Sequence, residues 1–193
     1  LLTGLVVWKW FDASVRSAAM VLPENRGLMQ QVYLPKLLLP LSVVVTNTMK
    51  FAITFSLLIV FLLWQGMPLM SDALLFLPLL WFSQLVLTVG TACLAAALVP
   101  LMPDLRYVVN YGLIMLFFMS GIFFSLSELA PEAQALLAIN PLLQLIDGYR
   151  AVLLDAQPPP VDAVLVVLLT ATAVCAMAFW LMRRFDRVYP RLV

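Results

Sequence analysis

Histidine is absent from this 193-residue chain, and cysteine occurs only twice, as Cys93 and Cys175. Two thiols without an imidazole fall short of the ligand sets that hold zinc or haem, so we expect no metal site and no cofactor bound by this chain. Both cysteines lie inside apolar runs. A disulfide between them is one alternative, but packing as small apolar side chains is the favoured role.

Signatures of catalysis are equally scarce. The chain contains no Gly-x-x-x-x-Gly-Lys-Ser/Thr phosphate loop, which predicts that it does not hydrolyse ATP itself. It also has no histidine base and no pair of carboxylates within an apolar run. These absences argue against an enzyme.

Charge is sparse as well. Only 11% of the residues are charged, 64% are hydrophobic, and the mean hydropathy is +1.06. Four stretches carry no charge at all: 51–71, 73–103, 107–127 and 163–182. Each reaches or exceeds the roughly 20 residues that a helix needs to cross a bilayer. The chain is therefore predicted to be an integral membrane protein.

The apolar stretches predict an all-α membrane protein, a polytopic helical bundle. No repeat or flexible linker interrupts it, so we expect one transmembrane domain over residues 1–193. Five membrane segments are predicted, at residues 1–22, 37–64, 74–99, 107–125 and 161–182.

Basic residues predict the orientation of these segments, because cytoplasmic loops carry an excess of Lys and Arg. One side holds most of them, in loop 23–36, loop 100–106 and the C-terminal tail, whereas the other side holds only Arg150. The C-terminus is therefore predicted to be cytoplasmic and residue 1 to lie outside. The chain begins within an apolar run and without methionine, so we expect it to lack earlier sequence.

The predicted outer-side stretch 126–160 is too polar to span and too apolar for a free loop. Pro131 is suited to begin one short helix, and Asn140-Pro141 to break it. A second short helix is predicted from Pro141 to about Leu154. Both are expected to rest on or dip into the outer leaflet, as re-entrant helices.

Three charged residues share one face of the first predicted helix, at spacings of three, four and seven, and three aromatic residues stand beside them. The charged residues are Lys9, Asp12 and Arg16, and the aromatic ones are Trp8, Trp10 and Phe11. Two interpretations remain open. One is a polar and aromatic lining for a hydrophilic cargo. The other is an interfacial helix with an aromatic belt and an Asp12–Arg16 pair.

Lys50 lies well inside segment 37–64, with Asn47 one turn before it. Because an end of the segment is distant, we expect Lys50 to face a cavity or a partner helix, with Asp12 as a candidate counter-charge. Small residues recur in segment 74–99, and close helix packing is their predicted role. They are Gly90, Ala92, Cys93, Ala95, Ala96 and Ala97.

Loop 23–36 is mixed in polarity and bounded by prolines. Composition leaves open whether it forms a short amphipathic helix that docks a partner or a plain connection. Its sequence resembles the signature of type-2 ABC exporter permeases, most closely the exporters of O-antigen, capsule and teichoic acid polysaccharides. The resemblance is carried by Asn25, Leu28, Val32-Tyr33-Leu34-Pro35-Lys36 and Leu39-Pro40-Leu41-Ser42.

Further matches to this family follow in order along the chain, although Pro103 stands where the family commonly has arginine. They are Gly4-Leu5 with Trp8 and Phe11, Asp104-Leu105-Arg106-Tyr107, Ser120-Gly121-Ile122-Phe123-Phe124, Asn140-Pro141 and Gly148-Tyr149-Arg150. The resemblance implies six spans, of which this chain would lack the first together with an amphipathic N-terminal helix. It also implies a homodimer of permeases with two separate ATPase subunits, which would hold ATP and Mg.

Site roles follow from the same resemblance and from the charged face. The ATPase-coupling loop would contain Glu24, Asn25, Arg26, Leu28, Tyr33, Pro35 and Lys36. The translocation path would contain Trp8, Lys9, Trp10, Phe11, Asp12, Arg16 and Lys50. Asp104 and Arg106 would form a cytoplasmic gate, and Asn140, Pro141, Tyr149 and Arg150 would belong to outer gate helices.

The function expected from these features is export of a lipid-linked polysaccharide across a bacterial cytoplasmic membrane. The partners would be an ABC ATPase, a second permease copy, the lipid-linked glycan and membrane lipid, without nucleic acid. One alternative is a type-2 exporter of drugs or small lipids. Another is a membrane scaffold or assembly subunit that transports nothing and has no cavity around Lys9 and Lys50.

Overall fold

The computed structural model describes residues 1–25, 27, 35–67, 72–124, 132, 134 and 137–185. Within these ranges the regular structure is entirely helical, which confirms the predicted all-α fold. A 3-10 turn, Asp72–Phe76, leads directly into the third helix. The helices are α1 (Leu2–Glu24), α2 (Leu38–Trp64), α3 (Leu77–Leu98), α4 (Leu105–Met119), α5 (Pro141–Leu153) and α6 (Val161–Phe185).

A helix occupies each of the five predicted membrane segments. Among the described residues, three helical stretches are long and apolar enough to cross a bilayer: α2, Asp72–Leu98 and α6. The helix α1 has 23 residues, but it carries the three charges of its exposed face. The helix α4 has 15 residues, so it extends about 22 Å, less than the roughly 30 Å of the hydrocarbon core.

The C-terminal boundary predicted for α4 is wrong, since the helix ends at Met119. Gly121 follows with φ +72°, a left-handed conformation that glycine adopts without steric cost. The guanidinium of Arg150 then donates hydrogen bonds to the carbonyls of Ile122 (2.8 Å) and Phe124 (3.0 Å). A distant side chain therefore satisfies backbone acceptors that a longer helix would have paired internally.

The bundle is built around α1, which contacts α2, α3, α4 and α5, while the most extensive packing joins α3 to α6. These two helices approach closely at Gly90, where an added Cβ would lie 2.9 Å from the backbone nitrogen of Cys175. The thiol of Cys175 donates to the carbonyl of Val86 at 3.3 Å. Cys93 and Cys175 are free thiols, which confirms packing as their role.

The ends of the helices lie where they should if successive segments cross the bundle in alternating directions. The C-terminal turns of α1, α3 and α6 share one hydrophobic cluster with the start of α2, including Leu22, Ala97 and Met182. At the other end of the bundle, α5 packs on the beginning of α1, where Gly4 faces Ile146. The predicted cytoplasmic loops therefore lie at one end and the short outer-side helix at the other. Which end is cytoplasmic stays a prediction.

Candidate functional site

The helix α1 has one charged face and one face enclosed by the bundle. Lys9, Asp12 and Arg16 are all at least partly exposed along the first face. On the enclosed side, Trp8 is 6% and Phe11 3% exposed, and both belong to the main core cluster. Neighbouring helices cover the side of α1 from which these two rings project, and a path-lining role for them stays a prediction.

Trp10 is also buried, but it borders a groove between α1 and α2. Its ring stacks on Phe51 with centroids 4.2 Å apart and an interplanar angle of 14°. The same groove is lined by Lys9, Asn47 and Lys50, and it holds about 210 Å³ of open space. The structure therefore brings three of the predicted path residues to one groove: Lys9 and Trp10 from α1 and Lys50 from α2.

The structure confirms one predicted partner of these charged residues and contradicts another. The Nε of Arg16 donates to both carboxylate oxygens of Asp12, at 2.8 and 3.0 Å, so the predicted Asp12–Arg16 pair is confirmed. Lys50 does not pair with Asp12, and that suggestion is wrong. Its Nζ lies 3.4 Å from Oδ1 of Asn47, which the preceding helical turn supplies.

A second recess, of about 340 Å³, lies between α1 and α4. The guanidinium Nη1 of Arg16 donates to Oδ1 of Asn110, and Arg106 lines the same recess. Arg106 also donates to the hydroxyl of Tyr107 at 2.7 Å. Sequence reasoning missed Asn110, although a lone amide in the charge-free stretch 107–127 is a signal that was present.

Asp104 and Arg106 flank the first residue of α4. Asp104 is the N-cap residue of α4, is exposed, and makes no side-chain cap hydrogen bond. Arg106 is also exposed, and its guanidinium carbon lies 4.6 Å from the centroid of the Tyr107 ring. No ion pair joins Asp104 to Arg106 in the described part of the chain. Their proposed gating role stays a prediction.

Sequence reasoning also missed a polar stripe on α2 that runs through Lys50. It consists of exposed residues at every fourth position: Ser42, Thr46, Lys50 and Thr54. The hydroxyls of Thr46 and Thr54 donate to carbonyls one turn earlier, at 2.9 and 3.0 Å, so their donors are satisfied within the helix. A period of four in polar residues was the signal that could have found it.

The candidate coupling loop joins the ends of α1 and α2. Glu24 is exposed as the last residue of α1, and Asn25 caps that helix by donating to the carbonyl of Val21 at 2.7 Å. Before α2, Pro35 is exposed and Lys36 is buried. Arg26, Leu28 and Tyr33 lie outside the described residues. The coupling role of the loop therefore stays a prediction.

The predicted helix beginning at Pro141 is confirmed as α5. Asn140 accepts a hydrogen bond from the backbone N–H of Leu142 at 3.1 Å, and its Nδ2 donates to the carbonyl of Met119 at 3.0 Å. Asn-Pro therefore both caps α5 and ties it to the end of α4. The preceding short helix, predicted from Pro131, falls almost wholly outside the described residues.

Tyr149 and Arg150 anchor α5 to the rest of the bundle. Tyr149 is 0% exposed, and its ring centroid lies 6.0 Å from that of Phe55. Burial raises the pKa of the Tyr149 phenol well above its usual value, so the ring stays neutral. Arg150 reaches the loop after α4 and also contacts Asp147 at 3.2 Å. An outer gating role for these residues stays a prediction.

A bundle of apolar helices, three of them long enough to cross a bilayer, defines a multi-pass membrane protein, and charged side chains of α1 and α2 lie along one open face of it. The family model described as ABC-2 type transporter matches residues 6–154, a range that includes the groove, α4 and α5. The chain belongs to the ABC-2 type transporter family.

Curated relatives have names from one transport system. The chain is 31% identical over 182 residues to the O-antigen export system permease protein RfbA of Myxococcus xanthus, covering 93% of this chain and 68% of the relative. Two proteins of the same name from Klebsiella pneumoniae are 27% and 26% identical, covering 78% and 80% of this chain. The chain spans 58% and 60% of their lengths.

Proposed function

We propose that this chain is the permease subunit of an ATP-driven exporter that moves a lipid-linked polysaccharide across the bacterial cytoplasmic membrane. Its membership of the ABC-2 type transporter family supports a permease that works with an ABC ATPase. Its relatives, which are named O-antigen export system permease proteins, support a polysaccharide cargo. A second copy of the permease would face the first across the path, and ATP and Mg would be held by the ATPase subunits.

The observation that carries the proposal is the placement of charge inside the spans. Lys9, Asp12, Arg16 and Lys50 all lie on α1 or on the face of α2 beside it. A charged residue at the centre of a lipid-facing helix costs roughly 2.5–3.5 kcal/mol. Lys9 and Lys50, which have no ion pair among the described residues, would together cost on the order of 5 kcal/mol if they faced lipid. The Asp12–Arg16 pair would also lose its hydration, so this face favours water, cargo or protein opposite it.

The ends of the bundle support a route for coupling to ATP hydrolysis. Glu24 and Pro35, at the two ends of the candidate coupling loop, are exposed at the same end of the bundle as the start of α4. We assign this end to the cytoplasm, with the C-terminus. A rigid-body movement of the ATPase would pass through this loop to α1, whose charged face lies about two to four turns further along.

The groove between α1 and α2 also helps to distinguish the proposed function from the two alternatives, a scaffold subunit and an exporter of drugs or small lipids. A scaffold subunit requires no polar groove at membrane depth, whereas the groove at Lys9 and Lys50 suits a path for hydrophilic cargo. A small-lipid exporter gains support from a separate recess of about 370 Å³ whose lining is entirely apolar. That recess lies at Phe55, Trp81 and Tyr149. We therefore keep lipid export as the second candidate.

The test of the proposal is deletion of the gene in the source bacterium, followed by analysis of its surface glycan and its lipids. Loss of surface glycan with accumulation of lipid-linked glycan inside the cell is expected. The full-length gene should restore export. Intact surface glycan in the deletion strain, with a defect in lipid or drug efflux instead, contradicts the proposal.

Coupling is tested with Glu24→Ala, Arg26→Ala and Tyr33→Ala in the complementing gene. Each variant should assemble with the ATPase and allow ATP hydrolysis, but export less glycan. Asp162→Ala is the matched control, because this acidic residue lies in the first turn of α6, at the opposite end of the bundle. Normal export by all three loop variants would refute the coupling role.

A further inference from the structure

An apolar recess opens where α2, α3 and α5 meet, and it holds about 370 Å³. It is lined by Phe55, Leu77, Pro78, Trp81 and Tyr149. Leu77 and Pro78 are the first two residues of α3. Phe55 lies nine residues before the end of α2 at Trp64, a distance of about 14 Å along the helix. Since half of the hydrocarbon core is about 15 Å thick, the recess lies at the depth of one leaflet, towards the end of the bundle where α5 packs.

Packed side chains hold the walls of this recess in place. Its three aromatic rings come from three different helices, and the ring centroid of Phe55 lies 6.0 Å from that of Tyr149 and 6.5 Å from that of Trp81. Tyr149 is fully buried. The adjacent Gly148 is so close to Leu80 that a Cβ added to the glycine would lie 3.0 Å from that side chain. The recess is therefore preformed between packed helices, and a simple rotamer change would not close it.

The recess is open at the apolar outer surface of the bundle. Pro78 and Trp81, on its lining, are both exposed. The neighbouring exposed side chains of α3, those of Leu79 and Phe82, are also apolar. In a bilayer, acyl chains surround such a surface. Water that entered the recess would find no hydrogen-bond partner on its lining, so hydrocarbon fills it in preference.

We propose that this recess binds one acyl chain of a membrane phospholipid as a resident ligand. An apolar cavity of about 150 Å³ takes up a molecule the size of benzene, so about 370 Å³ accommodates a longer segment of a chain. A chain bound here contacts fixed rings on three helices, which provide dispersion contacts that mobile neighbouring chains do not. The membrane itself supplies this ligand, so the inference does not rest on the proposed cargo.

The bound chain would also join α5 to the spans, because Tyr149 on α5 faces it together with Phe55 on α2 and Trp81 on α3. A ligand that binds only the folded arrangement stabilises that arrangement. Removal of bound phospholipid by detergent should therefore lower the Tm of the full-length permease, and added phosphatidylcholine should restore it.

Native mass spectrometry of the full-length permease, purified with its ATPase and washed in detergent, counts the phospholipids that stay bound. The parent complex should retain one phospholipid per permease. Leu77→Trp places a large ring in the recess and should weaken this binding about tenfold or more. Leu79→Trp is the matched control, because Leu79 is an exposed neighbour on α3 outside the recess lining. Equal phospholipid retention by the two folded variants would overturn the inference.

Tryptophan fluorescence tests the same site without filling it. Two full-length variants keep a single tryptophan each, Trp81 beside the recess or Trp180 on the exposed face of α6, with every other tryptophan replaced by phenylalanine. In nanodiscs that contain phosphatidylcholine with brominated chains, quenching should fit one lipid site for Trp81 and more than one for Trp180. Absence of quenching at Trp81 would show that protein covers the recess, and would overturn the inference.

The identity and exchange of the bound molecule separate a resident lipid from an exported one. Mass spectrometry should identify a phospholipid, and its occupancy should be the same before and after ATP turnover. A bound lipid that carries a glycan, or loss of the bound lipid on addition of ATP and Mg, would assign the recess to cargo and overturn the inference. Neither result depends on the deletion strain, so failure of the proposed function is read separately.

Discussion

Replacing Gly90 with alanine should force α3 and α6 apart at their closest contact. A Cβ added at this position would lie 2.8 Å from Sγ of Cys175 and 2.9 Å from its backbone nitrogen. The sulfur can rotate away, but the nitrogen moves only with the helix. Since ordinary Cβ contacts begin at 3.4 Å, the two backbones must separate locally by about 0.5 Å, the difference between 3.4 and 2.9 Å.

The expected cost combines two opposing terms. Overpacking costs about 1–3 kcal/mol, and the upper part of that range applies because a backbone atom is in the way. Alanine recovers about 1 kcal/mol through its higher helix propensity. The net loss in the free energy of unfolding is therefore about 1–2 kcal/mol, equivalent to a Tm lower by about 2–8 °C for a chain of this size.

Thermal unfolding of the detergent-purified protein, followed by tryptophan fluorescence, measures this change. Gly112→Ala is the matched control, because no atom lies within 4 Å of the Cβ added there, and its Tm should be equal or higher. Adding Cys175→Ala to Gly90→Ala should restore only part of the loss, since the contact with the backbone nitrogen remains. A Tm for Gly90→Ala at or above the parent value would refute the close approach of α3 and α6.

Two further predictions concern charged side chains, and thermal unfolding measures both. Arg150→Gln removes the donors to two loop carbonyls and should cost about 2–4 kcal/mol. Asp147→Asn weakens the contact with Arg150 at 3.2 Å but leaves both loop carbonyls paired, so it should cost less. Equal losses would contradict a role for Arg150 in holding the loop. A double-mutant cycle of Asp12→Ala and Arg16→Ala should give a coupling of about 1–2 kcal/mol. Zero coupling would show that the pair is not formed in solution.

Local features of the sequence were sufficient to predict several helices. The start of α5 at Pro141 was predictable because an asparagine cap and a proline in the first turn act within three residues. The Asp12–Arg16 pair was predictable for the same reason, since a spacing of four along a helix places both side chains together. In these cases the physical cause lies within one or two helical turns.

Other features depend on residues that are distant in the chain. The helix α4 ends at Met119 because Gly121 turns the chain and Arg150 satisfies the carbonyls that follow. The hydrophobic pattern of segment 107–125 does not indicate this interaction with Arg150. The grouping of Lys9 with Lys50 likewise depends on how α1 packs against α2, which neither helix specifies alone.

Composition alone determined that this chain lies in a membrane, because lipid accepts only long uncharged segments whose backbone groups are paired internally, as in helices. Helical spacing also determined that Lys9, Asp12 and Arg16 share a face. Only the tertiary structure decided which face of α1 the bundle covers. It buried Trp8 and Phe11 and left the charges open, because packing depends on the surfaces of the neighbouring helices and not on α1 by itself.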